Sequence, residues 1–142
     1  MTLKVKIRPY IDADYEDVKK NLEDGSIYED DWDAREVLKK KIDEHPGTIL
    51  VAESDGCVVG NIYLVDDPFS PAVYRLAVRK EYRGHDIGRL LMDHAEQELK
   101  RRGHRHVMIF VNSDFDGLVG WYESQGYQYT QGKSFRCMWK DF

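Results

Sequence analysis

The chain has 142 residues, a formal net charge of −5 and a pI near 5.5. This length suits one domain with a single substantial core, so one domain over 1–142 is expected. With no basic excess, nucleic acid is not an expected partner. The longest apolar runs are too short to span a bilayer, and the N-terminal stretch lacks the apolar region of a signal peptide. A cytoplasmic protein with no membrane partner is expected. Cys57 and Cys137 have no CxxC spacing and lie in apolar stretches, so they read as buried structural thiols in a reducing compartment.

Leu3, Val5 and Ile7 alternate with Lys4, Lys6 and Arg8, the period-2 pattern of a half-buried strand that Pro9 ends. Asp12 or Asp14 can cap a helix whose face carries Ile11, Tyr15, Val18 and Leu22, closed by Gly25. From Glu23 to Asp33 there are six carboxylates and no Lys or Arg. Such a run is ordinarily a solvated surface, and it also suits a cationic partner. Asp31 precedes a second helix with Ala34, Leu38 and Ile42 a turn apart, stopped by His45-Pro46-Gly47.

Thr48 to Ser54 and Cys57 to Val65 read as strands of a hairpin turned at Asp55-Gly56. Ala72 to Val78 is a further strand. A polar segment, Arg79 to Gly88, leads into a long helix striped by Ile87, Leu91, Ala95 and Leu99 and ended at Gly103. Val107 to Val111 is a continuous apolar run, as in a strand buried on both faces. A short helix over about Asp116 to Gln125 ends at Gly126. Tyr127 to Thr130 and Phe135 to Trp139 read as a closing hairpin around Gln131-Gly132-Lys133. The fold class is therefore α/β with a mixed sheet, in the order β-α-α-β-β-β-α-β-α-β-β. The early strands are antiparallel, and the strands at Ala72 and Val107, joined through a helix, are parallel neighbours.

The chemistry is concentrated where the strand ending at Val78 runs through a basic, glycine-bearing loop into the long helix. A helix N-terminus offers unpaired N–H groups and the positive end of the helix dipole, which makes it an anion site. Arg83 and Arg89 add charge, so a pyrophosphate is the natural ligand. The spacing is neither GxGxxG nor GxxxxGK[ST], which excludes the dinucleotide fingerprint and the P-loop by pattern. His104-Arg105-His106 offers two imidazoles without a third ligand nearby, so no metal is expected.

The segment Arg83-Gly84-His85-Asp86-Ile87-Gly88 resembles the signature of the GNAT acetyltransferase superfamily, [Q/R]-x-x-G-x-[G/A], with Asp86 in place of the middle glycine. Trp121-Tyr122-Glu123-Ser124-Gln125-Gly126-Tyr127 resembles the superfamily's second signature, hydrophobic-Tyr-Glu-x-x-Gly-Phe. Asn112 matches the asparagine that commonly follows the fifth strand. The resemblance extends over about Lys4 to Trp139 and implies a GNAT-type fold, a mostly antiparallel sheet with a splayed parallel central pair.

It further implies acetyl-CoA (coenzyme A) as cosubstrate. Leu76, Ala77 and Val78 would lie along the pantetheine, with main-chain bonds from Leu76 and Val78. The amides of Arg83, Gly84, His85, Asp86, Ile87, Gly88 and Arg89 would hold the pyrophosphate, and Asn112 would be a further cofactor-binding residue. Tyr122 matches the general acid that protonates the departing thiolate. The Glu that many relatives use as base has no counterpart at Tyr74-Arg75, and Glu53, Asp66 and Asp67 are the remaining candidates. The implied reaction is acetyl transfer to a primary amine by direct attack. Glu29, Asp30 and Trp32, with Asp33 and Tyr28 beside them, are the expected acceptor-binding surface, offering charge and cation–π contacts. A homodimer is an expectation by family analogy alone. A non-catalytic acyl-CoA-binding or sensor module and a nucleotide-phosphate-binding domain are the competing readings.

Overall fold

The computed structural model describes residues 3–112, 114–115, 117–130 and 136–142. It divides into two units, Met1–Phe110 and Val111–Phe142.

The first unit is built on a four-stranded antiparallel sheet in sequence order: β1 (Lys6–Pro9), β2 (Ile49–Ser54), β3 (Cys57–Val65) and β4 (Ala72–Val78). Helices α1 (Tyr15–Asp24), α2 (Asp30–Asp33) and α3 (Arg35–Glu44) separate β1 from β2, and α4 (Ile87–Arg101) follows β4. Asp12–Asp14 forms a 3₁₀ turn ahead of α1. Asp14 does not cap the helix with its side chain. Its carboxylate instead takes the Ile11 N–H at 2.9 Å and the Arg8 guanidinium at 2.8 and 2.9 Å, tying β1 to the helix start. The β2–β3 hairpin turns as its Asp-Gly pair demands, with positive φ at both residues (50° and 78°).

The sheet is covered on both faces. Val18 and Leu22 of α1 and Leu38 of α3 pack with Ile49, Val51, Val58 and Tyr63 on one side. On the other, Ile87, Leu91, Met92, Ala95 and Leu99 of α4 are buried. Gly60 lets α4 approach. A Cβ there would stand 3.0 Å from Leu91 Cδ1, 3.1 Å from the Ala77 carbonyl oxygen and 3.3 Å from Ile87 Cγ2.

β4 is bulged. Asn61 pairs with Ala77 and Tyr63 with Tyr74, so Arg75 and Leu76 oppose Ile62 alone, and Arg75 is left-handed at φ 57°. At its other edge β4 makes one parallel bridge, Ala72 with Met108, through Val73 N–H to Met108 O (3.2 Å) and Met108 N–H to Pro71 O (2.8 Å). The expected strand at Val107–Val111 is reduced to this bridge among the described residues, and Phe110 is 66% exposed rather than buried on both faces. The bulge at Arg75 and Leu76 lies three residues past the bridge, and a bulge is a feature that bends a strand and disrupts its pairing.

The second unit holds α5 (Leu118–Ser124), begun at Gly117 (φ 80°) and followed by Gly126 (φ 95°). Residues 131–135, which include the expected hairpin turn at Gln131-Gly132-Lys133 and the first residue of the expected strand Phe135 to Trp139, lie outside the described residues. Residues 127–130 and 136–142 carry no strand. Both cysteines are exposed, contrary to expectation. Cys57 is the first residue after the hairpin turn, where solvent reaches the sheet end, and Cys137 lies in the strandless C-terminal stretch. No helix among the described residues is long and apolar enough to cross a membrane.

Gly60→Ala is expected to destabilise the protein by about 1–3 kcal/mol, because the obstructing Ala77 carbonyl is backbone and cannot rotate aside. Denaturant unfolding measures this, and unchanged stability would mean that α4 is free to lift from β3.

Candidate active site

β4 and α4 meet at the loop 79–86. The Leu90 N–H is the first in α4 to find a carbonyl inside the chain's own turn, on Asp86 at 3.0 Å. The amides of Ile87, Gly88 and Arg89 precede it and have no intrahelical acceptor, so they are available to an anion. Asp86 stands at the N-cap in the left-handed region, φ 62°, and Gly84 is left-handed at φ 84°. The backbone conformation explains why glycine suits position 86 and why Asp, among the residues that tolerate it, can replace glycine. The Asp86 side chain makes no cap hydrogen bond. It is exposed and meets Arg89 at 3.4 Å, which partly neutralises it and leaves the amides uncovered. Arg83 Nε donates to the Val78 carbonyl at 3.0 Å, so it braces the strand end.

The Arg79 N–H points inward, to the Val59 carbonyl at 2.8 Å. By strand alternation Ala77 shares that direction, and Leu76 and Val78 turn their peptide groups to the outer edge. Beyond the Met108 bridge no strand pairs with that edge among the described residues. An extended chain of amides could therefore add along it, with its phosphates at the amides of α4. The residues present fit coenzyme A in this respect.

The loop is anchored from behind by polar groups of α1. Asp24 accepts the Lys80 N–H at 2.8 Å. Arg79 donates to Asn21 Oδ1 at 3.0 Å, to the Val58 carbonyl at 3.1 Å and to Asp17 at 3.3 Å. Asn21 Nδ2 reaches Asn61 Oδ1 at 3.2 Å, and Asn61 Nδ2 holds the carbonyl of the bulged Arg75 at 2.9 Å. Asn21 and Asn61 were not singled out from sequence, since a lone asparagine in an apolar stretch has no distinguishing pattern.

The acidic run separates into structural and exposed members. Asp33 is 0% exposed and cannot serve as a surface carboxylate. It accepts Tyr63 OH at 2.9 Å, the Glu29 N–H at 2.9 Å and Arg75 Nε at 3.2 Å. Glu29, Asp30 and Asp31 stay exposed. Trp32, 37% exposed, has the Arg75 guanidinium 5.2 Å from its ring centroid, and Lys19 lies 5.4 Å from that of Tyr28. The expected cation–π faces are thus already met by the chain's own cations.

The carboxylates considered as bases are all engaged. Glu53 faces Arg8 at 3.5 Å. Asp66 is bonded by His104 at 2.5 Å and Arg102 at 2.9 Å, which hold it below the usual carboxylate range. Asp67 takes the Phe69 and Ser70 amides at 2.8 and 3.0 Å. In the second unit, Tyr122 sits edge-on to Trp121 and Tyr127, with ring centroids 5.0 and 5.8 Å away, and burial pushes its phenol up. A neutral phenol is the form that can donate a proton. Asn112 Oδ1 accepts the Asp114 N–H at 2.9 Å.

Residues 10–127 match the Acetyltransferase (GNAT) family. The chain belongs to this family. An acetyltransferase of Yersinia enterocolitica is 28% identical over 124 residues, covering 87% of this chain and 88% of the relative. The PaiA N-acetyltransferase of Thermoplasma acidophilum, solved in complex with coenzyme A, superposes with a TM-score of 0.79 at 20% identity, covering 92% and 94% of the two chains. Ard1 of Thermoplasma volcanium gives 0.78 at 23% identity, covering 89% and 84%. As a GNAT member the protein is an acyl-CoA-dependent acetyltransferase, and acetyl-CoA is its cosubstrate.

Gly88→Glu is expected to abolish coenzyme A binding in calorimetry, since it places a carboxylate at the open amides. Asp86→Gly should tighten binding by no more than about 0.8 kcal/mol, the repulsion of two charges ~5 Å apart in water. Weaker binding by Asp86→Gly would show that the Asp86 side chain supports the helix start.

Proposed function

We propose that this protein transfers the acetyl group of acetyl-CoA to the primary amine of a cationic acceptor, a small molecule or a protein amino group, by direct attack. What supports this reading is a β4 edge that, beyond its Met108 bridge, pairs with no strand among the described residues, together with open amides at the start of α4 and an exposed acidic segment in the same unit. Leu76, Ala77 and Val78 would lie along the pantetheine. Gly84, His85, Asp86, Ile87, Gly88 and Arg89 would surround the pyrophosphate, with Arg83 as a brace of the strand end. The neutral amine attacks the thioester carbonyl and forms the C–N bond, the C–S bond breaks, the thiolate takes a proton from Tyr122, and the proton that the new amide nitrogen sheds passes through solvent to restore the phenol. Attack on the thioester needs no covalent enzyme intermediate. With Glu53, Asp66 and Asp67 engaged elsewhere, loss of the ammonium proton to solvent water fits the residues present better than loss to any of these carboxylates.

The acidic segment supports a cationic acceptor by charge: Glu29, Asp30 and Asp31 raise the local concentration of an amine cation and disfavour an anion. Screening a panel of amines for acetyl-CoA-dependent thiol release tests the function directly. Release with cationic amines and none with anionic ones is the expected outcome, and binding of coenzyme A without release from any amine would overturn it.

Tyr122→Phe is expected to lower kcat by about 10²-fold with the acetyl-CoA KM nearly unchanged. An unchanged kcat with chemistry rate-limiting would remove Tyr122 from the mechanism. Replacing Glu29, Asp30 and Asp31 together by Gln or Asn should raise the acceptor KM several-fold, more at low salt than at high, and leave acetyl-CoA affinity as it was. Equal acceptor KM at low ionic strength would show that this segment does not select the acceptor.

A further inference from the structure

Resting on the acceptor reading above, we propose that Arg75 is a positioning residue, which couples the acceptor segment at Glu29–Trp32 to the acetyl-CoA strand β4 through its ion pair with Asp33. Helix α2 is a single turn, Asp30–Asp33, too short to hold its own conformation by helical hydrogen bonding. Its place is set by Asp33, whose carboxylate gathers the Tyr63 hydroxyl, the Glu29 amide and the Arg75 guanidinium, and whose carbonyl accepts Tyr15 OH at 2.9 Å. The Arg75 Nη2 lies 3.2 Å from Asp33 Oδ2, and the guanidinium covers Trp32. Arg75 is at the same time the left-handed residue of the β4 bulge, with its carbonyl held by Asn61. A non-glycine residue in that region persists only where its surroundings over-determine it. The side chain that fixes the acceptor segment and the backbone that shapes β4 immediately before Leu76 therefore belong to one residue. A ligand that orders β4 must also bias the segment bearing Glu29, Asp30 and Trp32.

Hydrogen exchange with coenzyme A as the probe tests this without an acceptor. In the wild type, coenzyme A should slow exchange at 76–89 and, through Arg75, slow it about tenfold at 29–34. Arg75→Gly keeps a backbone that accepts φ 57° and removes the guanidinium. It should keep the protection at 76–89 and lose that at 29–34, and Arg75→Lys should restore part of it. Arg75→Gly leaves Asp33 buried without its cation, so if it does not fold, the double variant Asp33→Asn with Arg75→Gly carries the same comparison without a buried charge. Protection of 29–34 that survives in either variant overturns the coupling, as does a wild type protected at 76–89 but not at 29–34. A wild type unprotected at 76–89 overturns the acetyl-CoA placement itself, a distinguishable failure.

Discussion

The close approach of α4 to β3 is the constraint on which the site depends. Gly60 offers no side chain, so Ile87 and Leu91 lie directly on the sheet, and the first turn of α4 is pinned beside the end of β4. Burial of Ile87, Leu91, Met92, Ala95 and Leu99 supplies the adhesion, at about 1.5–3 kcal/mol for each large side chain. Three amides at the helix start are left without an acceptor in the helix itself. Such groups are tolerable at a surface and useful toward an anion. The same packing that stabilises the fold thus leaves the groups from which a phosphate site can be made.

The opposite face of the sheet is organised by polar groups rather than by apolar packing alone. Arg79, Asn21, Asn61 and the Arg75 carbonyl form a continuous chain of hydrogen bonds from the loop to the bulge. Asp33 and Arg75 close it toward α2. A buried carboxylate is costly unless paired and hydrogen-bonded, and Asp33 has a cation, Arg75, and two neutral donors, Tyr63 OH and the Glu29 N–H. Removing either partner alone is strongly destabilising, so the network holds the bulge and the acidic segment in one arrangement. Arg83 belongs to the same scaffolding by its bond from Nε to the Val78 carbonyl.

Elements governed by local chemistry were legible in the sequence. The Asp55-Gly56 turn, the α4 stripe from Ile87 to Leu99 and the loop before it follow from periodicity and turn residues that act over a few positions. The burial of Asp33 was not legible, because its cation lies 42 residues away and a carboxylate within an acidic run reads as solvated. The left-handed conformation of Arg75 leaves no mark in an alternating strand. Cys57 reads as buried from its apolar neighbours but is exposed by its place at the hairpin end. The apolar run at Val107 promised a long strand, but among the described residues it makes one bridge, opposite a strand whose bulge is invisible in the pattern. Among the site residues, the loop positions could be named from the motif, while the partners of Arg83, Asp24 and Trp32 came only from tertiary structure.

The central claim, that the start of α4 and the outer edge of β4 at Leu76–Val78 together receive coenzyme A, is tested most directly by residue-resolved amide NMR during titration with coenzyme A. The largest shifts are expected at the amides of Gly84 to Arg89 and along Leu76 and Val78, with the β2–β3 turn at Asp55-Gly56 unchanged. Shifts that leave the Gly88 and Arg89 amides unmoved at saturation, and gather elsewhere in the protein, would contradict it.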